Sequence, residues 1–285
     1  MRYLIYIMLS GLKSMNSLIN MEVPAQSNDL SDIRRYELKY AINEELAAEI
    51  RDYIKNICTL DKYVPPGKPG YIVNNLYFDT PDLRFYYDTR FRKLTRYKPR
   101  ARYYGEKAVD LIWPEIKFRN SSIIWKRRYS MPVSEWPSLF EFSNPQQKTA
   151  RVKDQLETFD DVIHWHNAQP VIHVRYLREP YVTELEAYGR VTFDRFLCCR
   201  STKGSIELDY EERDMLYYDD PVTSKNTYAP VILELKLETL VPAWAVELIR
   251  TFNLVQRAYS KYCYGLDSVM NYKTDGRIAR FSLEN

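Results

Sequence analysis

Cationic side chains recur at every second position in several predicted strands of this sequence. In the segment RYKPRARYYGE, a period of two places Arg96, Lys98, Arg100 and Arg102 on one face and tyrosine, proline and alanine on the other. For a single half-exposed strand, a solvated outer face is the simplest interpretation. The alternative is a phosphate-binding surface, because a guanidinium can donate two parallel hydrogen bonds to phosphate oxygens. The other strands decide between these interpretations.

The same alternation recurs along the chain. In VILELKLE, residues 231–238, Glu234 and Lys236 oppose a face of valine and leucine. In VRYLREPY, Tyr176 shares a face with Arg178. Further charged faces are predicted in RYELKY (Arg35, Glu37, Lys39), PEIKFR (Glu115, Lys117, Arg119), IIWKRRYSM (Lys126, Arg128) and YGRVTFD (Arg190, Thr192, Asp194).

These repeated charged faces favour an enclosed site. If they all pointed to bulk water, lysine and glutamate would be expected to dominate, whereas arginine is frequent here. Closing the sheet with its apolar face outward would bring the charges into one lumen. A dry lumen of this kind would not persist, because removing an ion from water costs several kcal/mol. We therefore predict an α+β fold, a closed antiparallel β-barrel with surrounding helices, whose wet cationic tunnel binds the phosphates of a polyanion.

The helices are predicted from other patterns. AINEELAAEIRDYIKNI has Asn43 as its cap, acidic residues in the first turn, and Ile42, Leu46, Ile50, Ile54 and Ile57 at helical spacing. A turn-rich loop follows at residues 60–70. Residues 134–167 are more helical than extended, and VPAWAVELIRTFNL begins at a proline suited to a first helical turn.

Composition limits the class of protein. The 285 residues carry a net charge of +3, so there is no global basic field and no nucleic acid is expected as a partner. The apolar run near the start is too short to span a bilayer, and we expect no transmembrane segment. Residues 1–31 are interpreted as a disordered or mis-assigned leader, with a signal peptide as the alternative, before a domain at 32–285. Four cysteines without metal or C-x-x-C spacing favour a cytoplasmic protein: Cys58, Cys198, Cys199 and Cys263.

An ordered set of motifs resembles a known family. YELKY, NNLYFDTPDL, KPRARYYG, EIKFR, IIWKRR, YLREPY, GRVTFD, LELK and SKYCYG occur in the order seen in the VTC (vacuolar transporter chaperone) catalytic domain, a branch of the triphosphate tunnel metalloenzymes. The resemblance covers about residues 33–270. It implies a tunnel-shaped β-barrel that transfers the γ-phosphate of ATP to growing inorganic polyphosphate with Mn²⁺ or Mg²⁺. A membrane-protein partner, the preferred metal, the product length and the oligomeric state stay open.

The resemblance also implies a set of site residues. Glu234 resembles the metal-binding carboxylate, and Tyr176 resembles a tyrosine that contacts the nucleotide. One further arginine matches either Arg90 or Arg92, with Arg92 preferred, while Glu37 and Glu115 face the lumen without an assigned role. The cations that grip triphosphate and product resemble Lys39, Arg100, Arg102, Lys117, Lys126, Arg178, Arg190 and Lys261, with Ser260, Arg119 and Arg128 as further substrate-binding residues.

Two other functions remain alternatives to the polymerase. A hydrolase of the same superfamily usually shows E-x-E-x-K on its first strand, but Arg35 replaces the first glutamate here, which favours the polymerase. A non-catalytic subunit that binds polyphosphate or nucleotide would be expected to lose part of the cationic set. Phosphoryl transfer onto an already ionised phosphate oxygen needs no catalytic triad. The three histidines form no nucleophile–base arrangement, and the sequence contains no G-x-x-x-x-G-K-[ST] loop.

Overall fold

The computed structural model describes residues 36–121, 123–141, 158–183, 185, 189–219, 230–237 and 241–274. The predicted leader, Arg35, Glu238 and residues 142–157 of the predicted helical segment lie outside these ranges. Within them, no helix is long and apolar enough to cross a membrane. All four cysteines are buried, and none forms a disulfide.

The strands follow the alternating segments of the sequence. The longest are β8 and β9, and the short β2, β7 and β10 pair at the margins of the sheet. In chain order they are β1 (Tyr36–Ile42), β2 (Cys58–Leu60), β3 (Tyr71–Asp79), β4 (Thr95–Tyr104), β5 (Leu111–Asn120), β6 (Ile123–Arg128), β7 (Met131–Pro132), β8 (Gln169–Thr183), β9 (Gly189–Ser201), β10 (Leu216–Tyr217) and β11 (Val231–Leu237).

The helices are α1 (Glu44–Ile54), α2 (Arg84–Arg90), α3 (Phe159–Trp165), α4 (Ala243–Thr251) and α5 (Lys261–Thr274), with 3₁₀ helices at Val133–Leu139 and Glu212–Asp214. The predicted cap of α1 is confirmed, because the Asn43 side chain accepts a hydrogen bond from Leu46 N at 2.8 Å. Ile42 ends β1 rather than joining the helix. Pro242 caps α4 instead of forming its first turn.

One antiparallel sheet contains all the strands, in the order β1-β11-β9-β8-β3-β4-β5-β6. The sheet is strongly curved: Lys117 Nζ on β5 lies 3.0 Å from Glu37 Oε2 on β1, although five strands separate these two in the sheet order. We call the concave side that carries both residues the inner face. The prediction of a closed barrel is wrong, because among the described residues the end strands β6 and β1 are not hydrogen-bonded to each other. β1 instead approaches β5 through the long side chains of Glu37 and Lys117.

The outer face of the sheet is apolar and covered by helices, as predicted. Leu233 and Leu235 on β11 pack with Ile50 of α1 and Leu248 of α4. Further along the sheet, the outer side chains of β3, β4 and β5 pack against α3 and the first 3₁₀ helix. Burial of these two clusters orients the alternating strands, and it leaves their charged sides on the inner face.

Helix α5 departs from the predicted arrangement, because it packs on the inner face rather than around the outside. Its Leu266 and Cys263 join Val73, Val174 and Ile232, which all point inward. The approach is close: a Cβ atom at Gly265 would lie 3.2 Å from Ile172 Cδ1 and 3.4 Å from Val174 Cγ2. One end of the inner face is therefore filled by a helix, and the charged residues occupy the remainder.

Candidate functional site

One group of charges surrounds Glu115, a buried carboxylate in the middle of β5. Arg100 lies directly opposite on β4 and donates a short hydrogen bond to Glu115. Lys126 Nζ approaches the carboxylate at 2.6 Å and Arg102 Nη2 at 3.6 Å. Burial alone would raise the pKa of Glu115, but Arg100 and Arg102 hold it well below its usual range. One negative charge thus holds three cations together.

A second group surrounds Glu234 on β11. Its carboxylate lies 3.3 Å from Arg178 Nη2, 3.5 Å from Lys39 Nζ and 3.8 Å from Lys236 Nζ. Lys39 Nζ also contacts Glu37 Oε1 at 2.9 Å, and Lys117 contacts the other oxygen of Glu37. Although burial opposes it, the nearby lysines keep the pKa of Glu37 well below its usual range. This group links strands β1, β5, β8 and β11.

Asp194 joins the second group, and the sequence interpretation did not include it in the site. Arg178 donates to both carboxylate oxygens at 2.7 Å, and Lys261 Nζ lies 2.7 Å from Oδ2. The Asp194 side chain is 0% exposed, and its cationic partners keep its pKa lowered despite burial. The sequence did contain a signal for this position: Asp194 alternates with Arg190 and Thr192 in YGRVTFD, which places all three residues on one face.

Positive charge exceeds negative charge in these two groups. Burying a charged side chain without a partner of opposite charge is costly. Because eight cations surround only four carboxylates, the remaining cations must be solvated or bind anions. The carboxylates are Glu37, Glu115, Asp194 and Glu234, and the cations are Lys39, Arg100, Arg102, Lys117, Lys126, Arg178, Lys236 and Lys261.

Three lysines on the inner face have lowered pKa values. Burial, with a smaller contribution from Lys39 and Lys117, lowers the pKa of Lys98 to about 7. Burial and the neighbouring arginines likewise lower the pKa of Lys126 to about 7, although Glu115 opposes the shift and 42% of the side chain remains exposed. Glu234 raises the pKa of Lys236, but burial and Arg178 lower it to about 8. A bound anion would stabilise the protonated form of all three lysines.

Lys98 marks one end of the inner face. A cavity of about 100 Å³ is lined there by Arg96, Lys98, Lys117 and Arg119. Lys98 Nζ lies 3.5 Å from the hydroxyl oxygen of Ser260, the residue before α5. The sequence interpretation placed Lys98 on the charged face without assigning it a role, and the structure brings it to the site.

The remaining predicted residues lie at the margins or have other partners. Arg190 binds Asp61 at 2.9 Å, and Arg90 binds Asp267 of α5 at 3.4 Å. Arg92 is exposed, and burial together with the charges of Arg119 and Arg92 lowers the pKa of Arg96. The choice of Arg92 over Arg90 stays a prediction.

Two further predicted residues flank the central groups. Arg128 pairs in register with Glu115 at the edge of the sheet. Tyr176 lies beneath the cations, with Lys261 Nζ 4.8 Å and the Arg178 guanidinium carbon 5.3 Å from its ring centroid. The assignment of a functional role to each predicted residue stays a prediction.

The donor set around Glu234 fits a divalent oxygen-binding metal. The carboxylates of Glu37 and Glu234 interact with one another and share the Lys39 ammonium. Mg²⁺ is commonly held by one or two carboxylates together with substrate phosphates, and Mn²⁺ accepts the same oxygen ligands. Among the described residues, no three acidic, histidine or cysteine side chains form a complete protein cage.

Fold and site together define a class: an α+β protein with a curved antiparallel sheet and a cation-rich inner face. The VTC domain profile matches residues 34–270, and the chain belongs to the VTC domain family. No curated protein is significantly similar to it. One similar solved structure is a candidate adenylate cyclase from Bacillus halodurans, with 12% identity, a TM-score of 0.44, and coverage of 79% of this chain and 92% of that one. Another, from Vibrio parahaemolyticus, has 11% identity, a TM-score of 0.40, and coverage of 81% and 96%.

Proposed function

We propose that the protein is a metal-dependent polyphosphate polymerase that transfers the γ-phosphate of ATP to a growing polyphosphate chain. The observation that supports this most directly is the excess of cations over carboxylates on the inner face, within a chain of the VTC domain family. A linear polyanion would contact both charged groups at once. Its phosphates would replace carboxylates as the partners of arginine and lysine.

The inner-face residues suit phosphoryl transfer by positioning and charge stabilisation. The terminal oxygen of a polyphosphate chain is already ionised near neutral pH, so no general base is required. Arg100 would bind the equatorial oxygens of the transferred group, Arg102 would hold the phosphate nearer the nucleoside, and Arg178 and Lys261 would orient the adjacent phosphates. Bound Mn²⁺ or Mg²⁺, held by Glu234 with Glu37, would neutralise charge on the phosphate oxygens. We place this reaction in the cytoplasm, since ATP is the donor and the cysteines form no disulfide.

Incubation of the purified protein with ATP and Mn²⁺ tests the proposal. The expected products are ADP and a ladder of polyphosphate chains on a gel. Release of orthophosphate without polymer would instead identify a tunnel hydrolase, and binding without turnover would identify a binding subunit. Arg35→Glu restores the E-x-E-x-K pattern and is predicted to shift the product ratio toward free phosphate.

A further inference from the structure

Three aromatic side chains form a cluster at the end of the inner face away from the cationic cavity. Tyr71 on β3, Tyr104 on β4 and Trp113 on β5 lie side by side across neighbouring strands. The Tyr71 and Tyr104 rings are 5.6 Å apart at 83°, and the Tyr104 and Trp113 rings are 5.2 Å apart at 72°. We call these three residues the aromatic cluster.

Strand register connects the aromatic cluster to both charged groups. Trp113 lies directly opposite Arg102, and Tyr71 lies directly opposite Arg178. Trp113 is two residues before Glu115, a step of about 6.8 Å along the strand. The cluster therefore continues the inner face where its charges end, rather than belonging to the outer hydrophobic core.

The cluster is accessible and lies in a positive field. Tyr104 is 38% exposed, and Trp113 is partly exposed. Burial alone would raise the pKa of the Tyr104 hydroxyl, but the charges of Arg102 and Arg128 lower it. Exposed aromatic faces beside cations are the surfaces on which bases of nucleotides stack, since every base has a π-face.

Tyr176, the tyrosine expected to contact the nucleotide, is not available for stacking. Its side chain is 2% exposed, and its ring is covered by Arg178 and Lys261. Tyr176 therefore packs beneath Arg178 and Lys261 in the middle of the charged groups. A nucleobase that enters the site must find another aromatic surface.

We propose that Tyr104 and Trp113, with Tyr71 behind them, bind the base of the nucleoside triphosphate whose phosphates lie on the cationic groups. This inference rests on the proposed function. With the base on Trp113, the first phosphate comes beside Arg102 and Arg128, and the following phosphates extend toward Arg100 and Lys126. The aromatic cluster thereby distinguishes the nucleotide donor from a phosphate chain, which has no base.

Binding of ATP and of inorganic triphosphate, measured by calorimetry without divalent metal, separates the base from the phosphates. Trp113→Ala and Tyr104→Ala are expected to raise the Kd for ATP about 10-fold while leaving the Kd for inorganic triphosphate within about twofold. Trp113→Phe keeps a ring and is expected to bind ATP nearly as well as the wild type. Trp165→Ala removes a tryptophan that is 67% exposed on α3, and both affinities should stay unchanged.

Three results would overturn the inference. An unchanged ATP affinity in both alanine variants would show that the base does not contact the cluster. An equal loss for both ligands, in Trp113→Phe as well as Trp113→Ala, would show that Trp113 only supports the strand. If the wild-type protein binds inorganic triphosphate as tightly as ATP, the base makes no contact, but the phosphate site stands. If it binds neither ligand, the proposed function is overturned as well.

Discussion

Asp194 illustrates how a single carboxylate can organise the cationic surface to which we propose that phosphates bind. It is fully buried, yet it stays ionised because Arg178 and Lys261 bind both of its oxygens. A charge in such a position without partners would cost several kcal/mol. The aspartate therefore holds two cations from different elements at a fixed separation before any substrate arrives, and a phosphate group can bind without first gathering them.

Glu234→Gln tests the metal-binding assignment at the level of one residue. The amide keeps the size of the side chain but loses the charge that a divalent metal requires. We expect metal-dependent turnover of ATP to fall at least about 100-fold, while inorganic triphosphate still binds because Lys39 and Arg178 remain. Initial rates with Mn²⁺ and calorimetric binding provide the measurements. Glu212→Gln, whose partner Arg175 lies on the outer face, is the matched control; equal rates in the two variants would remove Glu234 from the mechanism.

Lys98 gives the site a dependence on pH near neutrality. Its pKa of about 7 means that it is charged below pH 7 and neutral above, and a bound anion favours the charged form. Affinity for inorganic triphosphate should therefore fall about 3- to 10-fold between pH 6.5 and 8.5, with proton uptake on binding. The ligand-free fold should gain stability above pH 7, because the folded chain releases the Lys98 proton before the unfolded chain does.

Calorimetry in two buffers of different ionisation enthalpy measures this proton uptake. Lys98→Arg carries a charge at every pH of the experiment, so its affinity should depend less on pH. Some dependence should remain, since the pKa of Lys126 is also about 7. A wild-type affinity that does not change from pH 6.5 to 8.5 would contradict the assignment.

At the scale of elements, the packing of α5 on the inner face depends on Gly265. The helix approaches β8 and β9 closely there, and any larger side chain would meet Ile172, Val174 and Cys199. Gly265→Val should lower the free energy of unfolding by about 1–3 kcal/mol and weaken triphosphate binding, because Lys261 moves with the helix. Urea unfolding and calorimetry test both effects. Ser268→Val, on the same helix, is the control, with an expected change within about 0.5 kcal/mol; the same loss in both variants would contradict the packing argument.

The alternation of β4 and β11 allowed the sequence to predict which side chains share a face, because burial of Leu233 and Leu235 forces Glu234 inward. The sequence could not predict which element covers the inner face. β9 shows the reason: its alternation is interrupted near Phe196, which has a φ of 53°, so that Asp194 and Leu197 both point inward. This irregularity turns a charged face into an apolar one within a single strand, and α5 packs on the apolar part.

The candidate site was predictable to the extent that its residues lie in strands. Motif resemblance identified Lys39, Arg100 and Arg178, which the structure brings onto one face. It gave no indication that Tyr176 would be covered by cations or that Asp194 would bind two of them. Those relations depend on contacts between distant segments, which no local period of the sequence encodes.

At the scale of the whole molecule, positive charge is concentrated rather than abundant. The chain carries 41 basic and 38 acidic residues, yet its inner face has a clear cationic excess. The rest of the surface must balance this excess with carboxylates. Such a distribution favours the binding of a polyanion at one place on the protein.

This concentration predicts how binding responds to salt. The Kd for inorganic triphosphate should rise roughly 10-fold between 50 and 300 mM sodium chloride, because ions screen and compete for the inner face. At 100 times its Kd, triphosphate should also raise the free energy of unfolding by about 2.7 kcal/mol. Calorimetry across the salt series and thermal unfolding with ligand measure the two effects. An affinity insensitive to salt would show that charge is not what holds the ligand.

The position of α5 along the chain has a consequence for biosynthesis. Lys261 and the apolar residues that fill the inner face belong to a helix translated after every strand of the sheet. On the ribosome, the strands can therefore pair and curve before the helix that fills their concave side has emerged. Until then Asp194 lacks one of its two cations. The nascent protein therefore cannot complete the group of charges around Asp194 until α5 has been synthesised.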